Sequence, residues 1–281
     1  MIVVKQDAMP SKTVSRKTWS RFKYPQSLIP FSIYLFILVF IGYSIAYMNI
    51  PLDRFLTMFG RLGKMIATRY YPPDISYALD KDYLRYVLET IQMAYLGALF
   101  GVLLSIPISV CASFNVTPNR KFVYPIGRFI IMFCRSIHEM IWAILFVIII
   151  GFGMLPGVLA LTMFCIGFAG KLFAEEVEAI KMGQIEAIRA TGANFFQVIL
   201  YGVFPQVKVM WTGIAIYTWD SAFRAATVLG YFGAGGMGWY LKQTIEQLDT
   251  LRVSAILLSI ITLVIISEIL SAWARNKIAK K

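Results

Sequence analysis

Apolar residues are gathered in blocks of about twenty, the length that crosses a hydrocarbon core of roughly 30 Å. The blocks fall at roughly 31–48, 87–112, 123–150, 158–174, 207–230 and 252–272. They predict an all-α polytopic membrane protein with six transmembrane helices. Between the first and second blocks the pattern changes. Leu52, Phe55, Leu56, Phe59, Leu62, Met65 and Ile66 recur at three- and four-residue spacing, with Asp53, Arg54, Arg61 and Lys64 on the other face. That spacing predicts an amphipathic helix, lying either in the outer interface or against the span bundle. Tyr70, Tyr71, Pro72 and Pro73 end it. Inside the second block Pro107 should kink the helix.

The longest departure from the apolar pattern lies between the fourth and fifth blocks. Its centre is Gly183 to Pro205, GQIEAIRATGANFFQVILYGVFP. Ordinary helix–helix links take about two to eight residues, and this one takes about thirty. Ile185, Ile188, Phe195, Val198 and Ile199 give it a partly apolar face, while Glu186, Arg189, Asn194 and Gln197 are polar. The expectation is a helix, a bend at Gly192 and a second helix ending at Pro205. The apolar side of such an elbow needs a surface to cover it.

Composition supports the membrane reading. The chain has 281 residues, 58% of them hydrophobic, with a mean hydropathy of +0.68. The formal charge of +12 sits in tails and short loops, as the positive-inside rule expects. No basic patch with interleaved aromatics stands apart from the spans, so nucleic acid is not an expected partner; the lipid bilayer is. Lys5, Lys12, Arg16, Lys17, Arg21 and Lys23 precede the first block against Asp7 alone. Together with Arg275, Lys277, Lys280 and Lys281 they place both termini in the cytoplasm. Residues 1–29 lack a short apolar core with a small-residue cleavage site, which reads as a retained tail before an uncleaved signal anchor. Cys111, Cys134 and Cys165 lie in or beside apolar runs, without metal-ligand spacing.

No catalytic constellation is present, and a transport role without enzymatic chemistry is expected. Gly170-Lys171 is followed by Leu172, which excludes a Walker A loop there. The glycine-rich run Gly233 to Gly238 follows an apolar block rather than a strand, so a close-packed outer turn is expected instead of a nucleotide site. Charges inside the spans are costly and usually face a bundle interior or cavity. Arg135 and Glu139 are four residues apart, as are Asp220 and Arg224, so each pair can neutralise itself along a helix turn. The alternative is that Arg135, His138, Glu139, Trp219, Asp220 and Arg224 line a translocation path.

The elbow residues carry a resemblance. Glu186-Ala187-Ile188, Gly192 and Gly202-Val203-Phe204-Pro205 are similar to the cytoplasmic loop of ABC importer permeases, whose pattern is E-A-A, three residues, G, nine residues, I-x-L-P. Glu186, Ala187, Gly192 and Pro205 match it; Ile188, Gly202 and Phe204 depart. Arg135 to Trp142, Ala174 to Glu178, Trp219 to Gly230 and the turn Gly233 to Gly238 resemble the phosphonate-type permeases.

The resemblance implies a type I importer permease with a coupling helix in the bacterial inner membrane. It implies a core of five spans over 87–275 with the coupling loop at about 176–206. Before it come a basic tail, 1–30, and the first span with its amphipathic helix, 31–86; after it comes a second tail, 276–281. Glu186, Ala187, Gly192 and Pro205 would couple to an ATP-binding subunit, which would hold the ATP and magnesium that this chain has no site for. A periplasmic substrate-binding protein and a second permease copy, giving a homodimer, are the other implied partners. The implied cargo is a phosphonate or a related phosphorus oxyanion such as phosphite or hypophosphite. An ion-gradient-driven secondary anion transporter is the alternative, and it would need no ATPase.

Overall fold

The computed structural model describes residues 28–48 and 52–279, and every regular element among them is helical. The basic tail up to residue 27, and Lys280 and Lys281, lie outside the described residues, as do the side chains of Leu52, Asp53 and Phe55. The chain divides into two units, 1–64 and 65–281.

The first unit holds α1, Leu28–Met48, and nearly all of α2, Leu52–Met65. Helix α1 is apolar all round, the property of a helix that meets lipid rather than one protein face. Its described side chains are exposed almost throughout. In α2, Leu56, Phe59 and Leu62 are exposed and fall on a different face from Arg54 and Arg61, as the spacing predicts. A π-helical turn over Ile66–Tyr70 and the short helix α3, Ile75–Ala78, follow in the second unit.

The second unit is built around α4, Lys81–Cys111, and α7, Met154–Glu178. Their seam is made of small residues four apart on α4: Gly97, Gly101, Ser105 and Ser109. A Cβ at Gly97 would lie 2.5 Å from Leu161 Cβ, and one at Gly101 would lie 2.3 Å from Cys165 Cβ. Close approach of this kind drives helix association where lipid removes the hydrophobic incentive. Hydroxyls finish the seam. Ser105 Oγ lies 2.6 Å from Gly101 O and 3.3 Å from Cys165 O, and Ser113 Oγ lies 2.7 Å from Ser109 O and 3.3 Å from Ala174 O. Pro107 is inside α4, which continues to Cys111.

The third apolar block is not one straight span. It is two helices, α5, Val123–Ser136, and α6, Glu139–Ile150, bent by 90° at Ile137-His138. Both break residues have extended backbone. His138 caps α6, its Nδ1 accepting from the Met140 N–H at 3.4 Å, and Glu139 then sits in the first turn, where a carboxylate complements the helix dipole. Among the described residues five helices are long and apolar enough to cross a membrane, or six when the bent pair counts as one span.

Helices α10, Phe204–Leu229, and α12, Thr250–Ala279, complete the bundle. Between them the glycine-rich run forms the expected tight turn. A Cβ at Gly230 would lie 2.2 Å from Gly235 O, and Gly233, Gly235 and Gly236 all have positive φ. The polar segment after it is helical, α11, Gly236–Glu246. Its first N–H groups are taken up by α4: Met237 N donates to Thr90 Oγ1 at 2.8 Å and Gly236 N to Glu89 Oε2 at 3.4 Å.

Candidate functional site

The elbow consists of α8, Met182–Ala190, a bend at Gly192, the single turn α9, Phe195–Gln197, and a π-helical stretch Val198–Val203 that runs into α10. Gly192 has φ +80°, a left-handed backbone that favours glycine. The chain restarts through a reciprocal cap. Gln197 N donates to Asn194 Oδ1 at 3.0 Å, and Asn194 N donates to Gln197 Oε1 at 2.9 Å. The N-x-x-Q spacing was the sequence signal for that start.

Pro205 does not end the second helix. It stands in the first turn of α10, directly after the π-helical stretch, the kind of local adjustment that lets a proline sit within continuing helical backbone. Helical backbone therefore runs from Phe195 through Leu229.

The surface that covers the apolar side of the elbow belongs to this chain itself. Ile185 and Val198 are buried together with Val110, Val116, Phe173, Val177, Val203, Val207 and Trp211. Trp211 stacks near Phe173, centroids 4.9 Å apart, and its indole N–H donates to Phe173 O at 3.3 Å. Lys181 N donates to Gln206 Oε1 at 3.1 Å, tying the start of α8 to α10. Glu186, Ala187, Gly192 and Pro205 remain exposed, as does Phe196. The elbow is thus seated firmly below and free above.

The charges expected to pair along helix turns divide. Asp220 and Arg224 do pair, Oδ2 to Nη1 at 2.8 Å. The Asp220 side chain is 4% exposed against 43% for Arg224, and Asp220 Oδ1 is buried without a hydrogen-bond partner. Trp219 is half-buried beside Phe223. Arg135 and Glu139 do not share a helix face, because the 90° break lies between them. Glu139 Oε2 instead lies 3.5 Å from His138 Nδ1. Among the described residues no hydrogen bond or ion pair joins the group at the break to the group on α10.

Arg135 lines a cleft that the sequence pattern did not single out. Its stem lies over α7, where a Cβ at Gly167 would come 2.7 Å from Arg135 Cγ. The cleft, about 440 Å³, is lined by Arg128, Ile131, Met132, Arg135, Ser136 and Lys171. Arg128 and Arg135 are seven apart on α5, two helix turns, and that spacing was the available signal.

The comparisons with known proteins fit this architecture. The family model of the binding-protein-dependent transport system inner membrane component matches residues 101–280. The chain belongs to that family and is a multi-pass inner-membrane transport permease, which favours an ABC permease over a secondary transporter. The phosphite transport system permease protein PtxC of Stutzerimonas stutzeri is 37% identical over 75% of this chain and 76% of its own length. The phosphate-import permease protein PhnE of Mycolicibacterium smegmatis is 38% identical over 67% of this chain, which spans only 35% of that protein. Among solved structures, the inward-facing MetNI methionine ABC transporter gives a TM-score of 0.59 at 22% identity, covering 70% of this chain and 95% of that one. That likeness establishes the type I importer permease fold.

Proposed function

We propose that this chain is the membrane path of an ATP-driven importer for a phosphonate or a related phosphorus oxyanion, such as phosphite or hypophosphite. A separate ATP-binding subunit docks on the elbow through the surface around Glu186, Ala187 and Gly192, with Pro205 opening the helix behind it. A binding protein delivers the anion from the periplasm, and a second copy of the chain completes the pore. Both termini are cytoplasmic, on the charge argument, which puts the elbow on the side where ATP is available.

The observation that carries the reading is mechanical. The elbow is exposed on its outer face and locked to α7 and α10 on its inner face. From Phe195 its helical backbone continues into α10, which carries Asp220 and Arg224 in its second half. A push on α8 is therefore passed across the packed Ile185 contact and the Lys181–Gln206 hydrogen bond, rather than through the Gly192 bend alone, and then along helical backbone to the charged residues of α10. Trp219, Asp220 and Arg224 from α10, with Arg135, His138 and Glu139 at the break, are the proposed path residues. The substrate class is supported by the phosphite and phosphate relatives above.

The test is reconstitution with the ATPase and binding protein in proteoliposomes. Uptake of phosphite or methylphosphonate should require ATP and be abolished by Gly192→Asp. Uptake that continues without an ATPase, driven by an ion gradient, would overturn the reading.

A further inference from the structure

We propose that the cleft between α5 and α7 is a binding station for a tetrahedral phosphorus oxyanion group, held by Arg135 and Lys171 with Arg128 behind them. The inference deepens the importer reading and rests on it only for the identity of the cargo.

Three cations line one cleft, and their pairing is unequal. Arg128 Nη2 is held by Glu178 Oε1 at 2.6 Å. Lys171 Nζ is 3.4 Å from Glu175 Oε1, with both side chains more than two-fifths exposed. Such a solvent-exposed pair holds weakly and exchanges readily. Arg135 has no ion-pair partner among the described residues, and it is exposed to the cleft it lines. Arg128 Nε is buried with no hydrogen-bond partner, so one strong donor remains unsatisfied beside the cleft.

The geometry suits an oxyanion. A guanidinium presents a planar fork that matches two oxygens of a phosphate or phosphonate, and an ammonium adds a mobile point charge. The stem of Arg135 lies over Gly167, which narrows the directions in which its head can be presented. Ile131 and Met132 supply an apolar wall, which suits the carbon or hydrogen substituent of a phosphonate or phosphite. Glu175 and Glu178 oppose a bound anion, and Ser136 closes the far end with its hydroxyl already donating to Phe133 O at 2.9 Å. Opposing carboxylates make the station weak and releasable, the property a transit site needs. The station lies on the elbow side of the helix break, since Arg128 is tied to the end of α7 that leads into α8.

The same chemistry is offered by a free oxyanion and by the phosphate of an anionic lipid headgroup. The experiment separates them with the full-length chain in nanodiscs. In a phosphatidylcholine disc, methylphosphonate is titrated and followed by phosphorus NMR. In discs containing cardiolipin, the retained anionic lipid is counted by native mass spectrometry. Arg135→Gln and the double variant Arg135→Gln/Lys171→Gln are compared with the wild type. Arg135→Lys is the conservative rescue, and Lys208→Gln, an exposed charge elsewhere on α10, controls for net charge.

A free-anion station predicts methylphosphonate binding weakened about tenfold by Arg135→Gln, further by the double variant and partly restored by Arg135→Lys. A headgroup station predicts loss of retained cardiolipin with methylphosphonate unaffected. Binding of both probes unchanged in the double variant, or no binding by the wild type, overturns the proposal. Uptake by the wild-type complex is scored separately, so a failed station and a failed importer reading give different results.

Discussion

Gly202 is packed directly against Ile188: a Cβ at position 202 would stand 3.2 Å from Ile188 Cδ1 and 3.5 Å from Ile185 Cγ1. In the importer loop pattern the two positions are reversed, with alanine where Ile188 stands and isoleucine where Gly202 stands. What look like two departures in sequence are therefore one exchange of volume across a single contact. Interiors are packed closely enough that such an exchange is felt. Gly202→Ile alone should overpack the elbow and cost about 1–3 kcal/mol. Ile188→Ala alone should leave a void and cost about 2 kcal/mol, the low end for a side chain that is only half-buried. The double variant should recover at least about 1 kcal/mol relative to the sum of the two. Thermal unfolding of the four proteins in detergent measures this. Strict additivity would mean that the two residues do not share the contact.

The ion pair on α10 gives a second double-variant prediction. Arg224→Gln leaves Asp220 buried with both carboxylate oxygens unpaired. The cost should be about 2–3 kcal/mol, lower than for a fully enclosed pair because Arg224 is itself 43% exposed. Asp220→Asn/Arg224→Gln should return most of that stability, since no buried charge remains. Melting temperatures in detergent check the energetics. Uptake then isolates function: if Arg224 lines the path, the double variant should be stable yet slow in uptake, with basal ATPase activity retained.

The α4–α7 seam predicts a position where one methyl group is too many. Gly101→Ala places a Cβ 2.3 Å from Cys165 Cβ and 3.0 Å from Thr162 O. The backbone oxygen cannot swing aside as a side-chain tip can. The helices must part, at a cost of about 2 kcal/mol. Gly183→Ala is the contrast: nothing lies within 4 Å of its Cβ, and alanine is the better helix former by about 0.5–1 kcal/mol. Opposite shifts in melting temperature for the two variants are the expected result.

The spans were legible because a block of twenty apolar residues has one common explanation, and the elbow was legible because it interrupts that rule. The break inside the third block was not. Arg135 to Met140 contains neither proline nor glycine, and its apolar content continues on both sides. The only local sign was His138 followed by Glu139, a cap with an acid in the first turn, and it is weak beside a strong apolar run. The four-residue spacing of Arg135 and Glu139 then suggested a pair that the break prevents. What covers the elbow's apolar face was illegible for a different reason. Periodicity shows that a face must be covered, but not that Val110 and Val116, distant in sequence, join Phe173, Val177 and Trp211 in covering it. The basic cleft combines α5 with α7, and no pattern along either helix alone reports their proximity.

Gly192 allows the docking role to be separated from the fold. Its φ of +80° makes most side chains strained, at about 1–2 kcal/mol per residue, while asparagine and aspartate visit this region more readily. No atom lies within 4 Å of a Cβ built there, so the pocket around it imposes no clash. Gly192→Val should therefore lose stability through backbone strain alone. Gly192→Asn and Gly192→Asp should both fold, insert and melt near the wild type, differing from each other only in charge. In the assembled complex the two should part company. The aspartate places a negative charge on the exposed crest of the elbow, at the bend that follows α8 and its Glu186, on the proposed docking face. Stimulated ATP hydrolysis should fall at least tenfold for Gly192→Asp and much less for Gly192→Asn. Equal loss in both would assign the effect to volume at the contact. Full stimulation in both would remove the crest of the elbow from the ATPase interface.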